Sequence, residues 1–313
     1  MAETICYFNK EALVIKAPKK SPLVLRTMQT SPHTKTKLLN IKVIDQPCQS
    51  TNIQQSEIPF LHYPNPVTFN REECACNPVR YFAILSMQRS GSGWFETLLN
   101  SHHRRINISS IVSTMDRVYN LDWFTSASKN ECSAAVGFKW MMNQGLMEHH
   151  NDIAEYFKKK GVSAIFLIRR NLLRRMISIL ANSYDRNAKL LNGTHKSHVH
   201  SPAEAKILAK YKPTINATLL IPELKQIEQT TAKAIEYFKS TRHIVFYYED
   251  LITNRATLKE VQEFLRLAYR ELTSRQVKIH SGPLSKQVEN WDDVQKALKG
   301  TSYERFLHSD YRM

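Results

Sequence analysis

From about residue 78, short apolar runs alternate with longer amphipathic stretches along the chain. The apolar runs, which have strand character, cover residues 80–87, 134–141, 162–169 and 243–248, and stretches with helical spacing cover residues 92–102, 149–160, 171–183, 223–240 and 255–268. Strands that alternate with helices form βαβ units, whose parallel sheet is buried between helices. The pattern therefore predicts an α/β domain over residues 78–313, a three-layer sandwich with a central parallel sheet.

The N-terminal segment, residues 1–77, has a different composition. It is rich in Ser, Thr, Gln, Pro and Lys and shows no sustained hydrophobic period, which predicts a poorly ordered, disordered tail. No apolar run approaches the ~20 residues that a membrane span needs. The first residues also lack the apolar central region of a signal peptide, so we expect neither a span nor a leader.

The charge balance points to an anionic partner. Lys and Arg number 44 against 28 Asp and Glu, a formal net charge of +16. Such an excess suits a nucleotide, a sulfated or phosphorylated glycan, a nucleic acid or an acidic membrane. Because no nucleic-acid recognition motif or aromatic-basic platform is present, we do not expect nucleic-acid binding.

The cysteines and histidines give no metal-binding pattern. Cys74 and Cys76 form one C-x-C pair without a second pair at ligand spacing, so we expect no structural zinc. The odd total of five cysteines leaves at least one thiol free or in an intermolecular bridge. The loop histidines are expected to be solvated; they are His195, His198 and His200.

The first apolar run leads into a turn that suits an anion. Its residues supply hydroxyls, glycines that let backbone N–H groups approach a ligand, and a forked cation; they are Arg89, Ser90, Gly91, Ser92, Gly93 and Trp94. The Gly-Lys-Ser/Thr sequence of a Walker A loop is absent, which argues against a nucleoside triphosphatase or an atypical P-loop kinase. The alternative interpretation is an ordinary strand-to-helix turn.

Two further positions lie where parallel strands end. Arg170 closes the third apolar run and Ser178 follows eight residues later, so both can face the carboxyl edge of the sheet, where open α/β sheets bind ligands. Lys139 interrupts the second run and could stabilise developing negative charge. The alternatives are a solvated basic helix and a surface lysine.

These segments together resemble the sulfotransferase family. The turn at residues 89–94 looks like the 5′-phosphosulfate loop, in the arginine form of the carbohydrate and nodulation-type branch, although Gly93 stands where a second hydroxyl is usual. Arg170 and Ser178 match the pair that holds the nucleotide's 3′-phosphate. The resemblance covers about residues 78–313 and implies a P-loop-like fold without a metal. It also implies transfer of sulfate from 3′-phosphoadenosine 5′-phosphosulfate to a hydroxyl on a carbohydrate or glycoconjugate, an activity usually found in the Golgi lumen.

The resemblance also implies residue roles. Residues 89–94 would bind the 5′ side of the nucleotide, and Lys286 in the C-terminal segment would lie near a phosphate. Arg89 and Lys139 would be the catalytic cations. In the segment 247–251, which resembles the family's Tyr-Glu-Asp-Leu strand end, Glu249 and Asp250 are expected to cap a helix or to hold a basic partner.

The acceptor side departs from the family pattern. No glutamate occurs between Glu96 and Glu131, where carbohydrate-type members usually place the general base. The carboxylates in that interval are Asp116 and Asp122, and His102 and His103 are the other candidates. A catalytically impaired relative that binds the nucleotide or a sulfated glycan is therefore the main alternative.

Overall fold

The computed structural model describes residues 13–16, 53–89, 108–122, 132–271 and 276–308. Within these ranges five strands form one sheet in the order β1-β3-β2-β4-β5. The strands are β1 (Leu13–Lys16), β2 (Arg80–Ser86), β3 (Ser133–Met141), β4 (Val162–Ile168) and β5 (His243–Tyr247). The pairs β2–β3, β2–β4 and β4–β5 are parallel, which confirms the predicted parallel sheet. The edge strand β1 pairs antiparallel with β3.

Nine helices are assigned within the described ranges. They are α1 (Ile108–Tyr119), α2 (His150–Lys159), α3 (Leu172–Ala188), α4 (Pro202–Leu208), α5 (Ala217–Tyr237), α6 (Tyr248–Thr253), α7 (Arg255–Phe264), α8 (Trp291–Leu298) and α9 (Arg305–His308). Helices α2, α3, α5 and α7 lie close to the predicted ones, whereas α1, α4, α8 and α9 were not predicted. The predicted helix 92–102 lies outside the described residues. None of the helices described has the length and apolar content required to cross a membrane.

Helices cover both faces of the sheet because the central strands are apolar on both sides. In β2, Tyr81, Ala83 and Leu85 face a core shared with α1 and α2. Phe82 and Ile84 face the opposite side and pack with α7. A strand buried on both faces reads as a continuous apolar run, which is why the sequence predicted it.

The ends of α2 and α3 follow from single residues. Asn171 caps α3, since its Oδ1 accepts the N–H of Arg174 at 3.0 Å. Gly161 follows α2 with a φ of +59°, and a Cβ there would lie 1.9 Å from the carbonyl oxygen of Pro59. Glycine thus both ends the helix and admits the segment before β2.

The described part of the predicted tail before β2, residues 53–79, packs against the sheet. The buried carboxylate of Glu57 forms ion pairs with three arginines. They are Arg80 at the start of β2, at 2.7 Å, Arg242 just before β5, at 2.9 Å, and Arg266 just after α7, at 3.2 Å. Burial raises the pKa of Glu57, but the hydrogen bonds and charges of these arginines outweigh it and lower that pKa. The segment's polar composition concealed this packing, because a charge network rather than an apolar face attaches it.

A disulfide joins the same segment to the sheet. Cys74 is bonded to Cys132, which immediately precedes β3, and Cys76 is disulfide-bonded as well. The sequence had left the pairing of the five cysteines open, and the structure shows both members of the C-x-C pair in disulfides. The physical reason is tertiary: folding brings Cys132 next to Cys74 across 58 positions of sequence.

Candidate anion-binding site

The site is built around Arg89, where the chain leaves the carboxyl end of β2. Arg89 adopts a left-handed conformation with φ +61°, which is uncommon for a residue other than glycine. Its Nε donates to Ser178 Oγ of α3 at 2.8 Å, and its Nη1 donates to the backbone oxygen of Ser197 at 2.8 Å. The structure therefore brings two of the predicted site residues, Arg89 and Ser178, into direct contact.

Two more arginines surround this contact. Arg169 follows β4, the neighbour of β2, and donates to the backbone oxygen of Arg89 at 3.3 Å. Its guanidinium also lies over the ring of Tyr248, 5.2 Å from the centroid. Arg174, in the first turn of α3, donates from both Nη atoms to the backbone oxygen of Gly282 at 3.2 Å. Arg169 and Arg174 are 8% and 3% exposed, so the site holds cations that are largely removed from water.

The segment 276–282, which Arg174 holds, adds Lys278 and His280. Burial and the charges of Arg174 and Arg169 lower the pKa of Lys278 to about 8, against the opposing effect of Glu249. Burial and the neighbouring arginines lower the pKa of His280 to about 4. Burial is the main cause of both shifts, and the contribution of the arginines to each shows that their positive charges act on this segment.

Arg170, the predicted phosphate-binding residue, turns away from this cluster. Both of its Nη atoms bond to the carboxylate of Asp250, with Nη2 to Oδ2 at 2.7 Å, and its guanidinium lies 4.1 Å from the centroid of the Tyr247 ring. The hydrogen bonds to Asp250 raise the pKa of Arg170. This pairing confirms that Asp250 holds a basic partner, and Glu249 accepts the backbone N–H groups of Arg170 and Asn171 at 3.0 and 3.2 Å.

Lys139 lies on β3 beside Ile84 of β2 and is partly buried. Burial, with the charges of Arg89, Lys139 and His200, lowers the pKa of His198 to about 3. Both predicted catalytic cations thus act electrostatically on the segment 195–200, and Arg89 also contacts it through the backbone oxygen of Ser197.

A small pocket adjoins Arg89 on the side of α3. Its polar walls come from Asn182, Asp185, Lys196 and His280, and its apolar walls come from Ala181, Leu208 and Ile279. The amide nitrogen Nδ2 of Asn182 is buried and has no hydrogen-bond partner within the described part of the chain. The pocket therefore offers both hydrogen-bond donors and acceptors beside the basic cluster.

Other predicted residues have different positions. Lys286 is exposed in the short turn Leu284–Lys286. Asp116 binds the hydroxyl of Tyr156 at 2.9 Å and Lys160 at 3.0 Å, and Asp122 accepts backbone N–H groups from residues 67 and 68. These two carboxylates therefore join neighbouring elements. The remaining candidates lie outside the described residues: Ser90, Gly91, Ser92, Gly93, Trp94, His102 and His103.

Sequence reasoning did not single out Arg169, Arg174, Lys278 and His280. The first two were seen only as parts of a basic stretch, and the other two lie in a mixed C-terminal segment with no period. A basic residue directly after a buried strand was a usable signal for Arg169.

Among the described residues no group of three His, Cys, Asp or Glu side chains is arranged to hold a metal ion. No family model, curated protein or solved structure matches this chain.

Proposed function

We propose that this chain is a sulfotransferase with a P-loop-like fold. It would take the sulfuryl group of 3′-phosphoadenosine 5′-phosphosulfate and transfer it to a hydroxyl on a carbohydrate or glycoconjugate. The observation that carries the proposal is the contact between Arg89 and Ser178 inside a buried cluster with Arg169 and Arg174. The family resemblance assigns the 5′ side of the nucleotide to Arg89 and the 3′-phosphate to Ser178, two roles that their contact makes compatible.

Charge supports the nucleotide as the ligand. The sulfate donor carries a 3′-phosphate and a 5′-phosphosulfate, and guanidinium groups form charge-assisted, forked hydrogen bonds with such oxyanions. Two observed acceptors of Arg89 are neutral oxygens, which anionic oxygens would outcompete. Lys278, whose pKa is lowered by burial and by the arginines, would regain its full positive charge beside a phosphate.

Transfer itself needs charge stabilisation at the sulfuryl group. The acceptor oxygen forms a bond to sulfur while the bond from sulfur to the bridging phosphate oxygen breaks, and negative charge grows on that leaving oxygen. Arg89 and Lys139 are the cations assigned to stabilise this charge. The pocket beside Arg89 adds an amide, a carboxylate and an ammonium group to the polar surroundings of this arginine.

A binding function without turnover is the second candidate. It is favoured by Arg170, which is paired with Asp250 instead of facing the cluster, and by the absence of a glutamate between Glu96 and Glu131. Such a relative would hold the nucleotide or a sulfated glycan. Binding and turnover assays separate the two candidates.

The test is calorimetric binding of 3′-phosphoadenosine 5′-phosphate at fixed salt. We expect micromolar affinity for the wild type and a roughly 10- to 100-fold loss for Arg89→Ala, the size expected when a hydrogen bond to a charged group is lost. Lys239→Ala is the matched control, since this exposed lysine pairs with Glu236 at the opposite edge of the sheet. Comparing Arg169→Ala with Arg170→Ala reports which arginine contacts the nucleotide. Folded wild-type protein that does not bind would refute the proposal.

A further inference from the structure

The Nε2 atom of His198 is buried, and none of the described residues forms a hydrogen bond with it. A buried polar atom without a partner is destabilising and uncommon, so its presence next to the candidate site calls for a functional explanation. The sequence had suggested a solvated loop histidine, whereas the charges of Arg89 and Lys139 act on this ring and the preceding residue is bonded to Arg89.

The segment that carries His198 is held firmly by a chain of side chains. Asp185 of α3 bonds to Nδ1 of His195 at 2.6 Å, and the hydroxyl of Ser197 lies 3.2 Å from Nε2 of His195. Asp185 is 3% exposed and Ser197 is 7% exposed. The backbone oxygen of Ser197 is also bound to Arg89, so the residue before His198 is fixed to the basic cluster.

We propose that His198 is the general base that removes the proton from the acceptor hydroxyl. This inference rests on the proposed sulfotransferase function. The acceptor oxygen attacks sulfur, the bond between sulfur and the bridging phosphate oxygen breaks, and the hydroxyl proton passes to Nε2 of His198. The products are the sulfate ester, 3′-phosphoadenosine 5′-phosphate and an imidazolium, which then returns its proton to water.

The charge state of His198 agrees with this role. Its pKa is lowered to about 3, first by burial and then by three neighbouring charges. These are Arg89 at the end of β2, Lys139 on β3 and His200 on the same segment. The imidazole is therefore neutral at pH 7 and able to accept a proton. An anionic sulfate donor bound between Arg89 and Lys139 would offset their charges and raise this pKa toward the range where a general base works best.

Binding of the nucleotide would also loosen the segment beside His198. The bond from Arg89 to Ser197 is a bond to a neutral oxygen, and the phosphosulfate offers anionic oxygens to the same guanidinium. Exchange of one partner for the other would release residue 197 from Arg89. The same event would thus free the neighbour of the base and make the base more basic.

The experiment compares wild type, His198→Gln and the matched control His200→Gln, whose histidine is exposed on the same segment. Labelled 3′-phosphoadenosine 5′-phosphosulfate is supplied with water alone and with a mixed pool of neutral oligosaccharides, and released 3′-phosphoadenosine 5′-phosphate is measured. We expect His198→Gln to lower turnover at least about 100-fold, the lower end of general-base effects, with nucleotide affinity within threefold of wild type. His200→Gln should retain wild-type turnover.

The acidic limb of the pH profile gives a second readout, because it should vanish in His198→Gln. Nuclear magnetic resonance of the histidine side chains should show a neutral His198 ring near pH 6 and a higher pKa when 3′-phosphoadenosine 5′-phosphate is bound. Turnover of His198→Gln within threefold of wild type would overturn the inference, as would a wild type that binds the nucleotide without any turnover. Loss of nucleotide binding by the wild type would instead refute the proposed function itself.

Discussion

Removing the disulfide between Cys74 and Cys132 should destabilise the domain measurably. The bond closes a loop with a sequence separation of 58 and connects the segment before β2 to the start of β3. The chain-entropy relation for a loop of that length gives about 4 kcal/mol at 25 °C, and measured disulfide contributions are typically about 2–4 kcal/mol. We therefore expect Cys74→Ala/Cys132→Ala to lower the free energy of unfolding by about 2–4 kcal/mol.

Urea unfolding followed by circular dichroism, without reductant, measures this difference. A loss of that size corresponds to a midpoint lower by roughly 1 M or more for an m-value of about 2–3 kcal/mol/M. The same pair compared with reductant is the control, because both proteins then lack every disulfide and any remaining difference reports only the packing of the sulfur atoms. A difference below about 1 kcal/mol without reductant, or free thiols at both positions in unreduced protein, would contradict the reasoning.

Two further predictions concern the packing around the sheet. Glu57→Gln should cost about 2–3 kcal/mol at neutral pH, because the hydrogen bonds of its arginines then go to a neutral group. The arginines lower the folded-state pKa of Glu57, so its contribution to stability is complete above the unfolded pKa of about 4.3 and is lost as the pH falls through the lower folded value. The melting temperatures of wild type and Glu57→Gln should therefore converge below pH 4. An unchanged difference in melting temperature there would refute the assignment. Gly137→Ala should cost roughly 1–3 kcal/mol, since the new Cβ would lie 2.4 Å from the backbone oxygen of Phe82. Gly282→Ala, whose Cβ would lie 3.8 Å from Nε2 of Gln287, an ordinary contact distance, is the control expected to unfold like wild type.

The sheet was predictable because its signal is local. Strands β2 and β4 are buried on both faces, so each appears as a continuous apolar run in the sequence. The end of α2 was predictable for the same reason, since Gly161 marks it directly. Helix α1 was not predicted, although Asn107, a residue type that often precedes a helix, stands directly before it in the sequence. Strand β1 was not predicted because a four-residue strand at a sheet edge has too few positions to show a period.

The candidate site was predictable in part. The turn after β2 and the serine of α3 were identified from their places relative to the strands, and Arg89 and Ser178 are in contact. The sequence did not indicate whether Arg169 or Arg170 faces the site. Successive residues at a strand end point to opposite sides, so which arginine faces the site depends on how the strand is seated in the sheet.

The sequence by itself determined the elements that local pattern encodes: apolar runs of strand length, helices with one apolar face, and a strongly basic chain. Only the tertiary structure decided which charges meet. Arg170 is bonded to Asp250, 80 positions away in the sequence, and Glu57 to Arg242, 185 positions away. Arg89 is bonded to the backbone of Ser197, 108 positions away. Such contacts depend on side-chain direction and on the paths of distant segments, and the spacing of residues along the chain specifies neither of them.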